Sequence, residues 1–224
     1  AIFGADVITR IIYSGKEEGL EKLHNLVTGT VNQMIKELAD GCGVSLNDLT
    51  CIVCSGNTTM IHLLLKINPA YIRIDPYLPV ANSIPPLRAS EAGITINPRG
   101  ILYCLPGVAS YVGGDITAGI LSSQLYKKKD LSLLIDIGTN GEVALGNEEF
   151  IVASAASAGP AFEGSGLTCG MRASTGAIES VSIRPADFSL NYSVIGNVKA
   201  SGICGSGYIS LLSGMILNGV IDKS

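Results

Sequence analysis

Leu131-Ser-Leu-Leu-Ile-Asp136-Ile-Gly138-Thr139-Asn140-Gly141-Glu142 is the stretch on which the fold turns. Its first seven residues form an apolar run of the kind that makes a buried strand, and Glu142 to Leu145 supplies a second strand at once. Asn-Gly between apolar runs is a tight-hairpin signal, and a plain hairpin is one reading of the stretch. A hairpin does not require a carboxylate at the end of a buried strand, beside a turn of glycine, hydroxyl and amide groups. That combination fits phosphate chemistry: backbone N–H groups and the Thr139 hydroxyl face phosphate oxygens, and Asp136 holds Mg²⁺ through water.

Working outward, Tyr111 to Tyr126 reads as a helix with small residues at Gly113, Gly114, Ala118 and Gly119, and it feeds the Leu131 strand. Upstream, Glu17 to Ala39 carries Leu20, Leu23, Val27, Val31, Ile35 and Leu38 at helical spacing, with Gly41 and Gly43 as a stop. A strand at Thr50 to Cys54 then passes through Ser55-Gly-Asn-Thr-Thr59 into a second helix, Met60 to Lys66. Pro76 to Pro106 reads as mostly loop, apart from a strand at Ile101 to Cys104. Downstream, Ser201-Gly202-Ile-Cys-Gly205-Ser206-Gly207 opens the apolar helix Tyr208 to Leu217, whose N-terminal amides favour an anion or polar ligand. The glycines run G-x-x-G-x-G, which is not the dinucleotide fingerprint, and the chain has no G-x-x-x-x-G-K-[ST] loop. Ala158 to Gly164 and Gly170 to Gly176 form a further glycine-dense stretch, either a surface loop or a cleft wall carrying Glu163 and Arg172. The elements alternate as in an α/β protein.

Composition bounds the rest. The 224 residues are 47% hydrophobic, enough to bury a sizeable core as one large domain or two small lobes. Fifteen basic and 19 acidic residues give a net charge of −4, with Lys127 to Lys129 the one basic run, so the sequence carries no electrostatic footprint for nucleic acid. No apolar stretch reaches the roughly 18 residues that span a bilayer, and no signal peptide is visible, which points to a cytoplasmic protein. The six cysteines are expected as buried free thiols. Cys51 and Cys54 form a C-x-x-C in a strand, where residues three apart face opposite ways, so a shared metal ion is rejected. His24 and His62 read as ordinary helix histidines. The chain starts at Ala1 and ends after an apolar helix, and is expected to be a piece of a longer protein.

The order of these elements resembles the actin, sugar kinase and heat-shock chaperone superfamily. Gly113-Gly-Asp115-Ile-Thr-Ala-Gly-Ile is similar to its connecting helix, Asp136 to Glu142 to its second phosphate segment, and Gly202 to Gly207 to its adenosine segment. Within it, Phe3-Gly-Ala-Asp6-Val-Ile-Thr-Arg10, Ser55-Gly-Asn-Thr-Thr59, Ala158-Gly-Pro-Ala-Phe-Glu-Gly164 and Gly170-Met-Arg-Ala173 resemble the reductive activators of corrinoid-containing proteins. The resemblance implies a two-lobed actin-like α/β fold, with 1–125 as a partial first lobe, 112–126 as the connecting helix and 127–224 as the second lobe. It implies ATP hydrolysis that drives Co(II) corrinoid to Co(I) on the corrinoid protein of a methyltransferase system, with a homodimeric protein as the assembly.

It also implies residue roles. Asp115 positions water or Mg²⁺, and Asp136 assists with Mg²⁺. Gly138, Thr139, Asn140, Gly141 and Glu142 cradle phosphate, while Gly202, Gly205, Ser206 and Gly207 face adenosine or ribose. Electrons would arrive through an N-terminal [2Fe-2S] domain, whose plant-type C-x₄-C-x₂-C motif this chain lacks. The first phosphate turn of the superfamily is expected upstream of Ala1. Two other readings stand beside the activator ATPase: a non-catalytic module that binds the corrinoid protein, and a small-molecule kinase of the same superfamily.

Overall fold

The computed structural model describes residues 3–4, 6–138, 140–156 and 167–222. Thr139 and Glu163 therefore lie outside the described residues. The chain divides into two compact units, one of residues 1–136 with 142–155, the other of residues 137–141 with 156–224.

The first unit begins with helix α1, Val7–Ser14. Asp6 caps it: its Oδ1 accepts the Thr9 N–H at 2.8 Å, and its own N–H donates to Thr9 Oγ1 at 3.2 Å. Helix α2, Gly19–Cys42, runs longer than its periodicity predicts because Gly43, at φ 66°, supplies the left-handed stop. Its Val27, Val31 and Ile35 pack on the core as their spacing requires, but Leu38 is exposed. Strand β1, Cys51–Cys54, leads to helix α3, Thr58–Leu64. That helix starts two residues before the expected Met60, because Asn57 Oδ1 accepts the Met60 N–H at 2.9 Å and fixes the first turn earlier.

Strands β2, Leu87–Arg88, and β3, Ile101–Cys104, complete a sheet in the order β1-β3-β2, with β3 parallel to β1 and antiparallel to β2. The segment expected as mostly loop supplies much of the core. Ala89, Ala92, Ile94 and Ile96 are all buried in one cluster with Leu64, Leu102 and Cys104.

Helix α4, Gly114–Ser123, is shorter at both ends than the predicted 111–126. Gln124, at φ 53°, ends it in a left-handed turn. At its start, a Cβ on Gly113 would lie 2.6 Å from Asn57 Cα, and one on Gly114 would lie 2.5 Å from Leu105 O. The Gly56–Thr58 turn therefore touches the start of α4 backbone to backbone. Strands β4, Ser132–Ile137, β5, Gly141–Gly146, and β6, Ile151–Ala156, neighbour one another in sequence order. Such short connections join only antiparallel strands. Val112, Ile116 and Ala144 form a core with Ile120, Leu134, Ile151, Ala153 and Ala155, so α4 covers one face of this meander. That packing is why most of the meander groups in space with the first unit, although it follows residue 127 in sequence.

In the second unit, strand β7, Ala177–Ile183, pairs antiparallel with β8, Leu190–Val194, and parallel with the short β9, Gly202–Ile203. Helix α5, Gly205–Leu217, lies on β7. Gly207 would place a Cβ 2.2 Å from Ile178 O, and Ser210 Oγ accepts the Val181 N–H at 2.8 Å. No helix among the described residues is long and apolar enough to cross a membrane.

Candidate functional site

The first unit brings two of the predicted site residues together. Asp115 sits in the first turn of α4, half-buried, with Oδ1 accepting the Ile116 N–H at 2.9 Å. Asp136 is exposed near the end of β4. The two approach because α4 packs on that strand through Leu134, whose Cδ2 would lie 2.9 Å from a Cβ on Gly119. Burial pushes the Asp115 carboxyl above the usual carboxylate range. Hydrogen bonds from the Ile116 and Asp115 backbone N–H groups pull it back, and the charge of Asp136 adds to the rise. A half-buried carboxylate with a second acidic side chain in electrostatic reach attracts a cation, which relieves its burial cost.

Asp136 runs directly into the first glycine turn. Gly138 N–H donates to Asn140 O at 2.9 Å, and Gly141 is already the first residue of β5. Gly141 does not take the left-handed φ of a two-residue Asn-Gly hairpin. Among the described residues, a Cβ on Gly138 would come no closer than 3.7 Å to another atom, and one on Gly141 no closer than 4.0 Å, both ordinary contacts.

The second glycine turn, in the second unit, is built differently. A Cβ on Gly202 would lie 2.5 Å from Cys169 O and 2.9 Å from Met171 Sδ, and Gly207 is pressed on Ile178. Ser206 Oγ donates to Glu179 O at 2.9 Å. Cys204, at the N-cap of α5, is 1% exposed. Burial opposes its ionisation, but hydrogen bonds from the Ser206 hydroxyl and from the Gly207 and Ser206 amides outweigh it and hold the thiol below its ordinary range. Cys204 Sγ donates to Ile178 O at 3.3 Å and lies 3.3 Å from Ser206 Oγ. Gly205, the first residue of the helix, is buried.

Sequence reasoning gave Ser55 to Thr59 no role in the site, yet this turn seats the start of α4 and with it Asp115. The paired glycines Gly113-Gly114 opposite a short polar turn are the signal that could have revealed it. Both histidines lie on helices, as expected. His24 Nδ1 is 3.2 Å from Leu63 O, and His62 Nδ1 is 2.7 Å from Thr58 O. A carbonyl only accepts, so each Nδ1 carries the proton. His62 Nε2 is buried without a hydrogen-bond partner, and burial lowers the His62 pKa, partly offset by the Thr58 carbonyl. Among the described residues no group of three or more His, Cys, Asp and Glu is placed to hold a metal ion.

The α/β fold is of the actin-like ATPase class, and two family models name the branch. Residues 1–128 match the RACo middle region, and residues 130–224 match the C-terminal domain of RACo, the ASKHA domain; the chain belongs to this family. It is 39% identical over 223 residues to the corrinoid activation enzyme RamQ of Eubacterium limosum, covering 99% of this chain and 37% of that protein. It is 33% identical over 138 residues to the [Co(II) methylated amine-specific corrinoid protein] reductase of Methanosarcina barkeri, covering 53% of this chain and 26% of that one. A solved reductive activator for corrinoid, iron-sulfur protein superimposes with a TM-score of 0.84 at 51% identity, over 99% of this chain and 36% of that chain. The matches thus span between about a quarter and little more than a third of the length of these relatives.

Proposed function

We propose that this chain is the middle region and nucleotide-binding part of an ATP-dependent reductive activator, which returns Co(II) corrinoid on the corrinoid protein of a methyltransferase system to Co(I). The observation that carries the reading is Asp136, at the end of a strand that runs into a glycine turn, lying within electrostatic reach of the half-buried Asp115. The relatives' names supply the target: one is a corrinoid activation enzyme, another a reductase of a Co(II) corrinoid protein.

In this proposal Asp115 and Asp136 hold the waters of a Mg²⁺ ion, and Gly138, Thr139, Asn140, Gly141 and Glu142 present amides and side chains to phosphate. Gly202, Gly205, Ser206 and Gly207 shape the nucleoside end. Mg²⁺, when bound, neutralises phosphate charge; the half-buried Asp115 keeps one water oriented in a site of low dielectric. The lobes divide near residue 127, the protein is a cytoplasmic homodimer, and the electron comes through a [2Fe-2S] domain outside this sequence.

The test is the melting temperature of the chain with and without millimolar Mg-ATP or Mg-ADP, since a ligand that binds only the native state raises it, stabilising that state by about 2.7 kcal/mol at a hundred times Kd. The expected result is a rise with both nucleotides, reduced in D136N. No rise in this chain or in a full-length protein removes the nucleotide reading. In the full-length protein, ATP turnover stimulated by a corrinoid protein, with no phosphorylated small product, separates the activator from a kinase.

A further inference from the structure

The C-x-x-C at Cys51 and Cys54 does not work as a pair, because β1 is a regular strand and residues three apart face opposite ways. The fold gives Cys54 a different partner. Strands β1 and β3 run parallel with Cys54 directly opposite Cys104, each the last residue of its strand. Residues in register on neighbouring strands point to the same face. Both sulfurs enter the same apolar cluster, Cys104 within it at 2% exposure and Cys54 half-buried at its margin, and both are free thiols.

The spacing decides what the pair can do. Neighbouring strands lie about 4.7–4.9 Å apart, whereas a disulfide needs its Cβ atoms roughly 3.5–4.5 Å apart. A direct sulfur–sulfur bond therefore strains the sheet. An ion held between two sulfurs, each at a metal–sulfur distance of about 2.3 Å, spans nearly the strand spacing without distortion. Two ligands suffice only for a soft ion that accepts linear coordination, and thiolates select Cu(I) among the common metals. The pair also sits at the carboxyl ends of parallel strands, where α/β sheets receive their ligands, and exposed Ser55 follows Cys54 at that end.

We propose that Cys54 and Cys104 form a two-coordinate site for a soft monovalent ion, with Cu(I) as its representative, separate from the nucleotide site. Binding is an exchange without oxidation: one Cu(I) forms two Cu–S bonds, two S–H bonds break, and two protons pass to solvent. Burial and the nearby Cys54 push the Cys104 thiol up to about 11, and burial pushes Cys54 up.

The experiment is an anaerobic titration of the 224-residue chain with Cu(I) against a chromogenic Cu(I) chelator, read by native mass spectrometry and by X-ray absorption at the copper edge. The unmodified chain and C51S are expected to retain one ion with two sulfur neighbours. C54S, and the packing-conservative C104V, should weaken retention at least about tenfold, with circular dichroism unchanged in C54S. Retention in C54S equal to that of the unmodified chain overturns the proposal, as does loss in C51S or no ion held by the unmodified chain.

Discussion

At Gly207 an added Cβ would lie 2.2 Å from Ile178 O; at Gly138 the nearest atom among the described residues would be 3.7 Å away. The two turns look alike in sequence, each rich in glycine with one hydroxyl, yet their glycines serve different ends. Around Gly202 and Gly207 glycine is a packing requirement, imposed where α5 and β9 close on β7. Around Gly138 and Gly141 no described residue presses on the positions, so their lack of a side chain is available to a ligand. A glycine-rich turn becomes evidence for a binding site only after its packing role has been subtracted.

The comparison breaks most directly at Gly207. Alanine there forces α5 away from the Ile178 carbonyl, and the cost of such overpacking against backbone is about 3 kcal/mol. For a chain of this size that lowers Tm by on the order of 10 °C, measurable by calorimetry. A Gly207→Ala protein that melts like the unmodified chain would show that the helix relaxes freely and that the packing argument is wrong. Gly202→Ala should cost less, about 1–2 kcal/mol, because one of its two close neighbours is the flexible Met171 side chain.

Gly138→Ala sharpens the other side. Its Cβ meets only ordinary contacts and its φ lies outside the left-handed region, so stability should stay within about 0.5 kcal/mol of the parent. If the turn cradles phosphate, the nucleotide-induced rise in Tm should shrink in the same variant. A fall in stability like that of Gly207→Ala would erase the distinction between the turns, and an undiminished nucleotide response would move the phosphate elsewhere.

What the sequence made legible follows the same physics. Helix α2 was readable because Val27, Val31 and Ile35 repeat at helical spacing and Gly43 ends the run. Residues 89–96 were read as loop because burial there is not periodic: Ala89, Ala92, Ile94 and Ile96 reach the core from a 3₁₀ turn and irregular chain. Strands β7 and β8 went unread although Leu190-Asn-Tyr-Ser-Val194 alternates apolar and polar residues, and its Leu190 and Tyr192 are exposed in the fold. The motif resemblance named the family, which the comparisons bear out, and picked out Asp115 and Asp136. That they lie within electrostatic reach depends on α4 packing on Leu134, a contact no local pattern encodes.

Asp115 carries the smallest predicted effect on stability, and its sign matters more than its size. Its folded pKa lies above the unfolded value, chiefly through burial. The folded state therefore binds more protons than the unfolded state between those two values, so stability is full below the unfolded pKa and falls as pH rises through the folded one. At neutral pH the ionised carboxylate is a net cost of folding. Asp115→Asn should melt slightly higher than the parent at pH 7, with the difference disappearing at pH 3. The same substitution in the full-length protein should slow ATP turnover without lowering Tm. A group kept in a destabilising place is explained by a task there, whereas an Asn variant that is less stable at neutral pH would show that Asp115 is a structural cap of α4 like Asp6 of α1.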